Sequence, residues 1–334
     1  MASASQQSAR PIFIVSTGRS GSTILTWCLG QHPNIIPQEE SNWLGPFAID
    51  TAVGHRRGTA RGERGQLSAN FIKLEELLAA LGDTINQLLL THRGHFENTQ
   101  LRRAAGWSPP PFGISRSPDE PKSRWVDGTP EYSLYICALR KLFPRAVFIH
   151  LVRDVTDVVR SLLNFFPDGS HRLVDNEQNA YEYWLRRANA CAEAEQAYGP
   201  EIVYRLRYVD LVEQPERAMR SVLQFLGERY EPACLEPLAQ RINSANVPAS
   251  FDETDAATDP AIIKRAGELS EQLQLSPQPL EPSTQAAAKL ESQFEQQVEH
   301  FATLEAQLHD ARAMIQALQN SGESINPAPA GETV

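Results

Sequence analysis

Pro11-Ile-Phe-Ile-Val15 leads without a break into Ser16-Thr-Gly-Arg-Ser-Gly-Ser-Thr23, and this stretch decides how the rest of the chain reads. The first run is short, apolar and β-branched, as in a strand buried on both faces. The second carries Gly18 and Gly21 and passes into an apolar-periodic segment over residues 24–29. Strand, glycine-bearing turn and helix, in that order, aim backbone N–H groups and the positive end of a helix at one point. Such a turn binds an anion; a tight turn without chemistry is the plainer reading of the same residues.

The pattern of a nucleoside-triphosphate loop, G-x-x-x-x-G-K-[ST], fails here. It needs Gly at 16 and Lys at 22, and the chain has Ser16 and Ser22. Only Gly21 and Thr23 fit, while Arg19 enters the loop. A metal-bound triphosphate is therefore not the expected anion.

Further along, Ala146-Val-Phe-Ile-His-Leu-Val152 is the clearest buried strand. Arg153 leaves its carboxyl end, where open α/β sheets bind ligands. Asp154 caps the helix that follows, and Ser161 lies roughly two turns into it. An arginine fork with a hydroxyl grips a monophosphate without metal; the alternative is an ordinary ion pair with Asp154 or Asp157. Residues 35–36 read as a short strand and 202–208 as an alternating one. Helical periodicity covers 67–92, 130–142, 176–198 and 215–226, the last ended by Gly227. Residues 54–65, rich in glycine and arginine, and the proline-rich 104–124 read as loops. Alternating strands and helices predict an α/β fold, a P-loop-like doubly wound parallel sheet flanked by helices, with a long C-terminal helix or coiled coil.

These segments together resemble the PAPS-dependent sulfotransferase superfamily, where PAPS is 3′-phosphoadenosine-5′-phosphosulfate. Phe13 through Leu25 looks like its 5′-phosphosulfate loop, and Phe148-Ile-His-Leu-Val-Arg-Asp154 through Ser161 like its 3′-phosphate motif. Arg207-Tyr208-Val-Asp-Leu, then Pro215-Glu216 and Phe225-Leu-Gly227, is similar to a stretch downstream. The resemblance implies that Arg19, Ser20, Gly21, Ser22 and Thr23 bind the 5′-phosphosulfate and that Arg153 and Ser161 bind the 3′-phosphate, with Tyr208 also against the nucleotide. Arg19 through His32-Pro33 to Glu39-Glu40 keeps the register of the tyrosylprotein and carbohydrate branch, which implies Glu40 as catalytic base and Arg19 as the catalytic cation. A carboxylate in that role suits a hydroxyl acceptor, which must lose its proton as the new bond forms; solvated loop residues are the bland reading of Glu39 and Glu40. One departure stands out. Many relatives carry a lysine before the 3′-phosphate motif, and here that place is Gly128. Lys122, Arg124 or Arg19 would have to supply its charge. Sugar, peptide, lipid and small-molecule acceptors remain open. A kinase with an altered loop, or a coiled-coil adaptor with a relict nucleotide domain, are the competing classes.

Composition narrows the rest. Lys+Arg 31 against Asp+Glu 41 gives a net charge of −10, a poor footprint for nucleic acid, so any anion must be held locally. Cys28, Cys137, Cys191 and Cys234 show no paired spacing and read as free thiols. No His/Asp/Glu cluster has metal-ligand spacing, and sulfuryl transfer needs no metal. The N-terminus has no basic region followed by an apolar core, and no apolar run is long enough to span a membrane, which predicts a soluble cytoplasmic protein. His150 reads as a core residue; His55, His92, His95 and His171 read as surface residues.

Residues 1–275 are expected to form the catalytic domain and 276–285 a proline-bearing linker. Residues 286–319 follow as a coiled-coil-like helix, and 320–334 as a disordered tail. In the helix Phe294, Phe301, Leu308 and Ile315 recur every seven residues, with Leu290, Leu304, Ala311 and Leu318 on the second seam and Gln297 interrupting it. A homo-oligomer through 286–319 and a helix folded back on its own domain are the two uses of that pattern.

Overall fold

The computed structural model describes residues 10–60, 62–95, 122–165, 172–239, 255 and 257–320. Most of the proline-rich segment 104–124, His171 and the tail from 321 onward lie outside the described residues. Five parallel strands, β1 (Ile12–Ser16), β2 (Ile35–Pro37), β3 (Arg124–Asp127), β4 (Val147–Val152) and β5 (Val203–Arg207), form one sheet in the order β2-β3-β1-β4-β5. The helices are α1 (Ser22–Gly30), α2 (Leu44–Thr59), α3 (Gln66–Ala69), α4 (Leu74–Thr91), α5 (Ile136–Leu142), α6 (Val155–Leu163), α7 (Glu177–Tyr198), α8 (Tyr208–Glu213), α9 (Pro215–Leu226), α10 (Pro260–Leu275) and α11 (Thr284–Asn320).

Because successive strand residues point to opposite faces, the uninterrupted apolar runs require cover on both sides. Phe13, Val15, Trp125, Phe148 and Val203 face one layer, where α2, α4, α5 and α7 pack. Ile12, Ile14, Val126, Ile149 and Leu206 face the other, with α1 and α9. Phe13 is the hub of the first layer: Trp125, Tyr132, Phe143 and Phe148 all place their rings within 5.8 Å of it. Each such pair contributes on the order of 1 kcal/mol beyond area burial. The Trp125 indole N–H donates to buried Asn86 at 2.9 Å, which ties α4 to the sheet.

The sequence reading contains no β3, α8 or α10, and three further elements differ from it. Residues 54–59 are the last turns of α2, not part of a loop. Its buried stripe of Leu44, Ala48, Ile49, Ala52 and Val53 outweighs the roughly 1 kcal/mol that each interior glycine costs. The stretch 67–92 is two helices. Phe71 takes a left-handed φ of 55° between them, and the Lys73 amide bonds Glu76 at 3.1 Å to start α4 afresh. Residues 130–134 form a 3-10 turn before α5, since Pro130 occupies the first turn and the helix restarts after Tyr135.

On the face of β4 and β5 that α7 covers, Glu195 of α7 is fully buried between His150 and Arg205. Burial pushes its carboxyl up, but the bonds to His150 Nδ1 at 2.5 Å and to Arg205 outweigh this and hold it below the usual range. Arg205 also donates to the carbonyls of Leu273 and Ser276, and the Arg205 amide donates to Gln278 at 2.9 Å. The segment before α11 is thereby fastened to the body. In α11 itself Leu290, Phe294 and Val298 are buried in the first core layer, whereas Phe301, Leu304, Leu308 and Ile315 are exposed. Arg56 and Arg57 at the end of α2 pair with Glu299 and Glu305 where the helix leaves the body.

Candidate active site

Between β1 and β4 the chain direction divides: the connection from β1 runs toward β2, and that from β4 toward β5. Such a point, outside the carboxyl ends of the strands, is a natural ligand crevice. β1 hands over to α1 through residues 17–21, in which Arg19 (φ 70°) and Gly21 (φ 102°) have left-handed backbone. Glycine adopts this freely, while an arginine held there stores of order 1 kcal/mol. Space also demands glycine at 21, since a Cβ would lie 2.7 Å from Tyr208 Cε2. No side chain caps the first turn of α1, so its amides and the helix dipole are available to an anion. Ser22 is buried and Thr23 half-buried in that turn. The Ser20 hydroxyl turns inward instead and bonds Thr17 Oγ1 at 2.6 Å, bracing the loop from within.

The second turn follows β4. Asp154 accepts from the amides of Thr156 and Asp157 at 2.9 and 3.3 Å, an N-cap that contributes about 1 kcal/mol and fixes the start of α6. Arg153 is thereby aimed at the first loop. Its Nη1 donates to the Arg19 carbonyl at 3.0 Å, its guanidinium lies over the Tyr208 ring at 4.8 Å, and Asp157 stands 3.6 Å away. Arg153 Nε is buried without a hydrogen-bond partner. From α6 the Ser161 hydroxyl accepts from Arg19 Nε at 3.1 Å, and the Arg19 guanidinium rests on Phe165 at 4.1 Å. Arg19, Gly21, Arg153, Ser161 and Tyr208 thus form one cluster. Burial, then the Arg153 charge, lowers the proton affinity of Arg19, and Glu40 opposes that shift; the guanidinium stays charged.

Glu40 follows β2 on the same rim. Its position is set by Ser41, whose amide donates to Thr129 Oγ1 at 2.9 Å and whose hydroxyl donates to Asp127 at 2.7 Å and meets Tyr132 Oη. Tyr132 in turn accepts from the Leu44 amide at 3.0 Å, locking the start of α2. Glu40 itself is open to solvent on one side. The surrounding protein still raises its carboxyl above the usual range: desolvation is the largest cause, the charges of Glu131 and Asp127 add to it, and Arg19 pulls the other way. A carboxylate with a raised pKa holds a proton more readily than a solvated one does.

At Gly128 the packing leaves no place for a lysine in this arrangement. A Cβ would stand 2.3 Å from Thr26 Oγ1 on α1. Lys122 and Arg124 do not reach the site. Lys122 is buried and donates to the Ile35 carbonyl at 3.2 Å; Arg124, at the opposite end of β3, donates to the carbonyls of Arg10 and Leu226 and pairs with Glu228. The cations the cluster does contain are Arg19 and Arg153, and Arg19 is the one close enough to Glu40 to act on it.

A second polar group behind the loop escaped the sequence reading. Tyr183 of α7 presses its hydroxyl on Gly18, where a Cβ would lie 2.7 Å away, and donates to Glu131 at 3.5 Å. Arg187 stacks on the Tyr183 ring at 3.5 Å and stands 3.6 Å from Glu131. Their spacing of four residues on one helix was the available signal. His150 is bound to Glu195 in the core, and His55 bonds the Ile72 carbonyl at 2.9 Å, away from the cluster. Among the described residues no group of three His, Cys, Asp or Glu side chains is placed to hold a metal, and no helix is long and apolar enough to cross a membrane. All four cysteines are free, three of them buried.

A family model described as "Sulfotransferase family" matches residues 11–232. The chain is 32% identical over 127 residues to the omega-hydroxy-beta-dihydromenaquinone-9 sulfotransferase of Mycobacterium bovis, a match that takes in 33% of this chain and 31% of that relative. Among solved structures it is similar to the sulfotransferase domain from the Synechococcus PCC 7002 olefin synthase (TM-score 0.42, 20% identity, 90% of this chain and 98% of the other). It is also similar to sulfotransferase STF9 from Mycobacterium avium (TM-score 0.41, 16% identity, 83% and 79% covered).

Proposed function

The chain belongs to the sulfotransferase family, and from that premise we propose that it moves a sulfuryl group from PAPS to the hydroxyl of a neutral small molecule. The residues fit a donor charged at two ends. The uncapped amides of α1 suit one phosphate group, and the partnerless Arg153 Nε suits another. Bound PAPS would supply an activated sulfuryl group whose bridging S–O bond breaks with its electron pair passing to the nucleotide 5′-phosphate. Arg19 and the amides of Gly21, Ser22 and Thr23 hold the charge that collects there. Arg153 and Ser161, with Tyr208 beside them, hold the 3′-phosphate. Glu40 accepts the acceptor's hydroxyl proton as the new S–O bond forms. With position 128 bare, Arg19 carries the cation's role, and Arg187 adds positive charge beside Glu131 on the same segment.

Two features of the rim support a neutral acceptor with an apolar face. Glu39 and Glu40 are exposed there, and the nearby Glu131 and Asp127 carboxyls act on Glu40 in the same sense, which disfavours acidic sugars and acidic peptides. Trp43, three residues past Glu40, is 45% exposed and braced edge-on by Phe47 at 5.6 Å, a rigid surface for a flat or greasy molecule. The Mycobacterium relative, named for an omega-hydroxylated menaquinone, points to the same class. Free thiols agree with a cytoplasmic setting.

The observation that carries this reading is the meeting of the two anion grips, Arg153 on the Arg19 carbonyl and Arg19 on Ser161. Calorimetry with 3′-phosphoadenosine 5′-phosphate (PAP) tests it. Arg153→Ala should weaken binding by roughly ten- to a hundredfold, the worth of a charge-assisted contact. Equal affinity in the variant removes the assignment. Labelled PAPS offered to neutral aromatic and prenyl alcohols, a sulfated polysaccharide precursor and an acidic tyrosine peptide then tests the acceptor class.

A further inference from the structure

The apolar stripe of α11 is buried by its own chain in its first half and exposed in its second. Leu290, Phe294 and Val298 are each less than a tenth exposed, sunk among α2, α5 and α7. Beyond Val298 the same repeat continues, but Phe301 is 38%, Leu304 44%, Leu308 51% and Ile315 48% exposed. The body does not close over them. Between the end of α2 and α11 lies an open cleft of about 690 Å³, lined among others by Val53, Ala60, Ala302, Ala306 and Leu308.

We propose that residues 304–315 of α11 pair with the same residues of a second copy of this chain, as a short antiparallel two-helix seam. The positions 301, 304, 308, 311 and 315 alternate by three and four, the spacing that keeps one stripe facing a partner helix. A helix with this stripe recognises another heptad stripe rather than a flat surface. Charge chooses a copy of itself. With Leu308 set against the partner's Ala311, a two-fold axis brings Glu305 beside the partner's Arg312, and the mirror contact follows by symmetry. Leu304 then meets the partner's Ile315. Glu305 also meets Arg57 of its own chain, which fixes the angle at which the helix leaves the body. Oligomerisation therefore uses the distal half of the repeat, and the proximal half serves as a strap on the catalytic body.

Light scattering on the full chain tests this, independently of donor or acceptor. At about 50 μM the wild type should weigh twice the 37.2 kDa chain. Leu308→Glu combined with Ile315→Glu should return it to the chain mass with unchanged far-ultraviolet circular dichroism, since both residues are exposed in the single chain. Ala311→Leu fills the smallest position of the seam and should tighten the dimer by roughly tenfold or more. Arg312→Glu should weaken it by a similar factor. A wild type that weighs one chain at that concentration, a dimer that survives the double substitution, or an Ala311→Leu variant no tighter than wild type would each overturn the proposal. Failure of the sulfuryl-transfer reading leaves these masses unaffected.

Discussion

The Arg19–Arg153 cluster and the C-terminal helix carry equally regular sequence signals, yet those signals specify different amounts. In the cluster, each conspicuous residue is tied to a named partner: Gly21 to Tyr208, Asp154 to two amides, Arg153 to the Arg19 carbonyl. In α11 one repeat runs through both halves, and only in the first half is it buried by its own chain. A turn that aims amides and charges defines what it holds through geometry of its own. A repeating apolar stripe defines only the shape of what covers it.

The largest effect should come from the cluster's rim. Glu40→Gln keeps the shape but removes the proposed proton acceptor, and kcat should fall by about 10²- to 10⁴-fold while PAP affinity holds. Full turnover in that variant would move the base elsewhere and erase the cluster's advantage in this comparison. Next in size is a contrast within α11. Phe294→Ala should cost about 3–5 kcal/mol in denaturant unfolding, because it hollows the core. Phe301→Ala, measured at concentrations too dilute for self-association, should cost within about 0.5 kcal/mol. Equal costs would mean that the two halves of the helix do not differ. The smallest effect is one of pH. As the proposed base Glu40 would have to be ionised, so activity should rise with pH through its raised pKa, with the acid limb above the usual carboxylate range. Glu131→Gln removes one of the charges that raise it, and the limb should move to lower pH; a limb that stays put would show that Glu131 does not act on the base.

What could be read in advance follows the same division. β1, β2, β4 and β5, the Asp154 cap, the Gly227 stop and the loop around Arg19 depend on neighbours in sequence, and the structure places them where the pattern predicts; β3 is short and too close to the proline-rich segment to stand out. The last turns of α2 were hidden because Gly54 and Gly58 disguise a stripe whose burial depends on distant helices. Tyr183, Arg187 and Glu131 were missed for a related reason: they meet one another and the loop only once α7 lies across the strand ends. The break before α4 turns on Phe71 and a lysine amide, neither a usual breaker.

Gly128 and Thr26 occupy what is in effect one volume, 2.3 Å apart once a Cβ is drawn. Whether a cation can stand on the segment before α5 is thus settled on a different element, the second turn of α1. The two sites are coupled like adjoining seats: a lysine can take its place at 128 only if residue 26 is trimmed or its hydroxyl swings aside. Any attempt to graft the lysine-bearing arrangement onto this scaffold has to begin with the threonine.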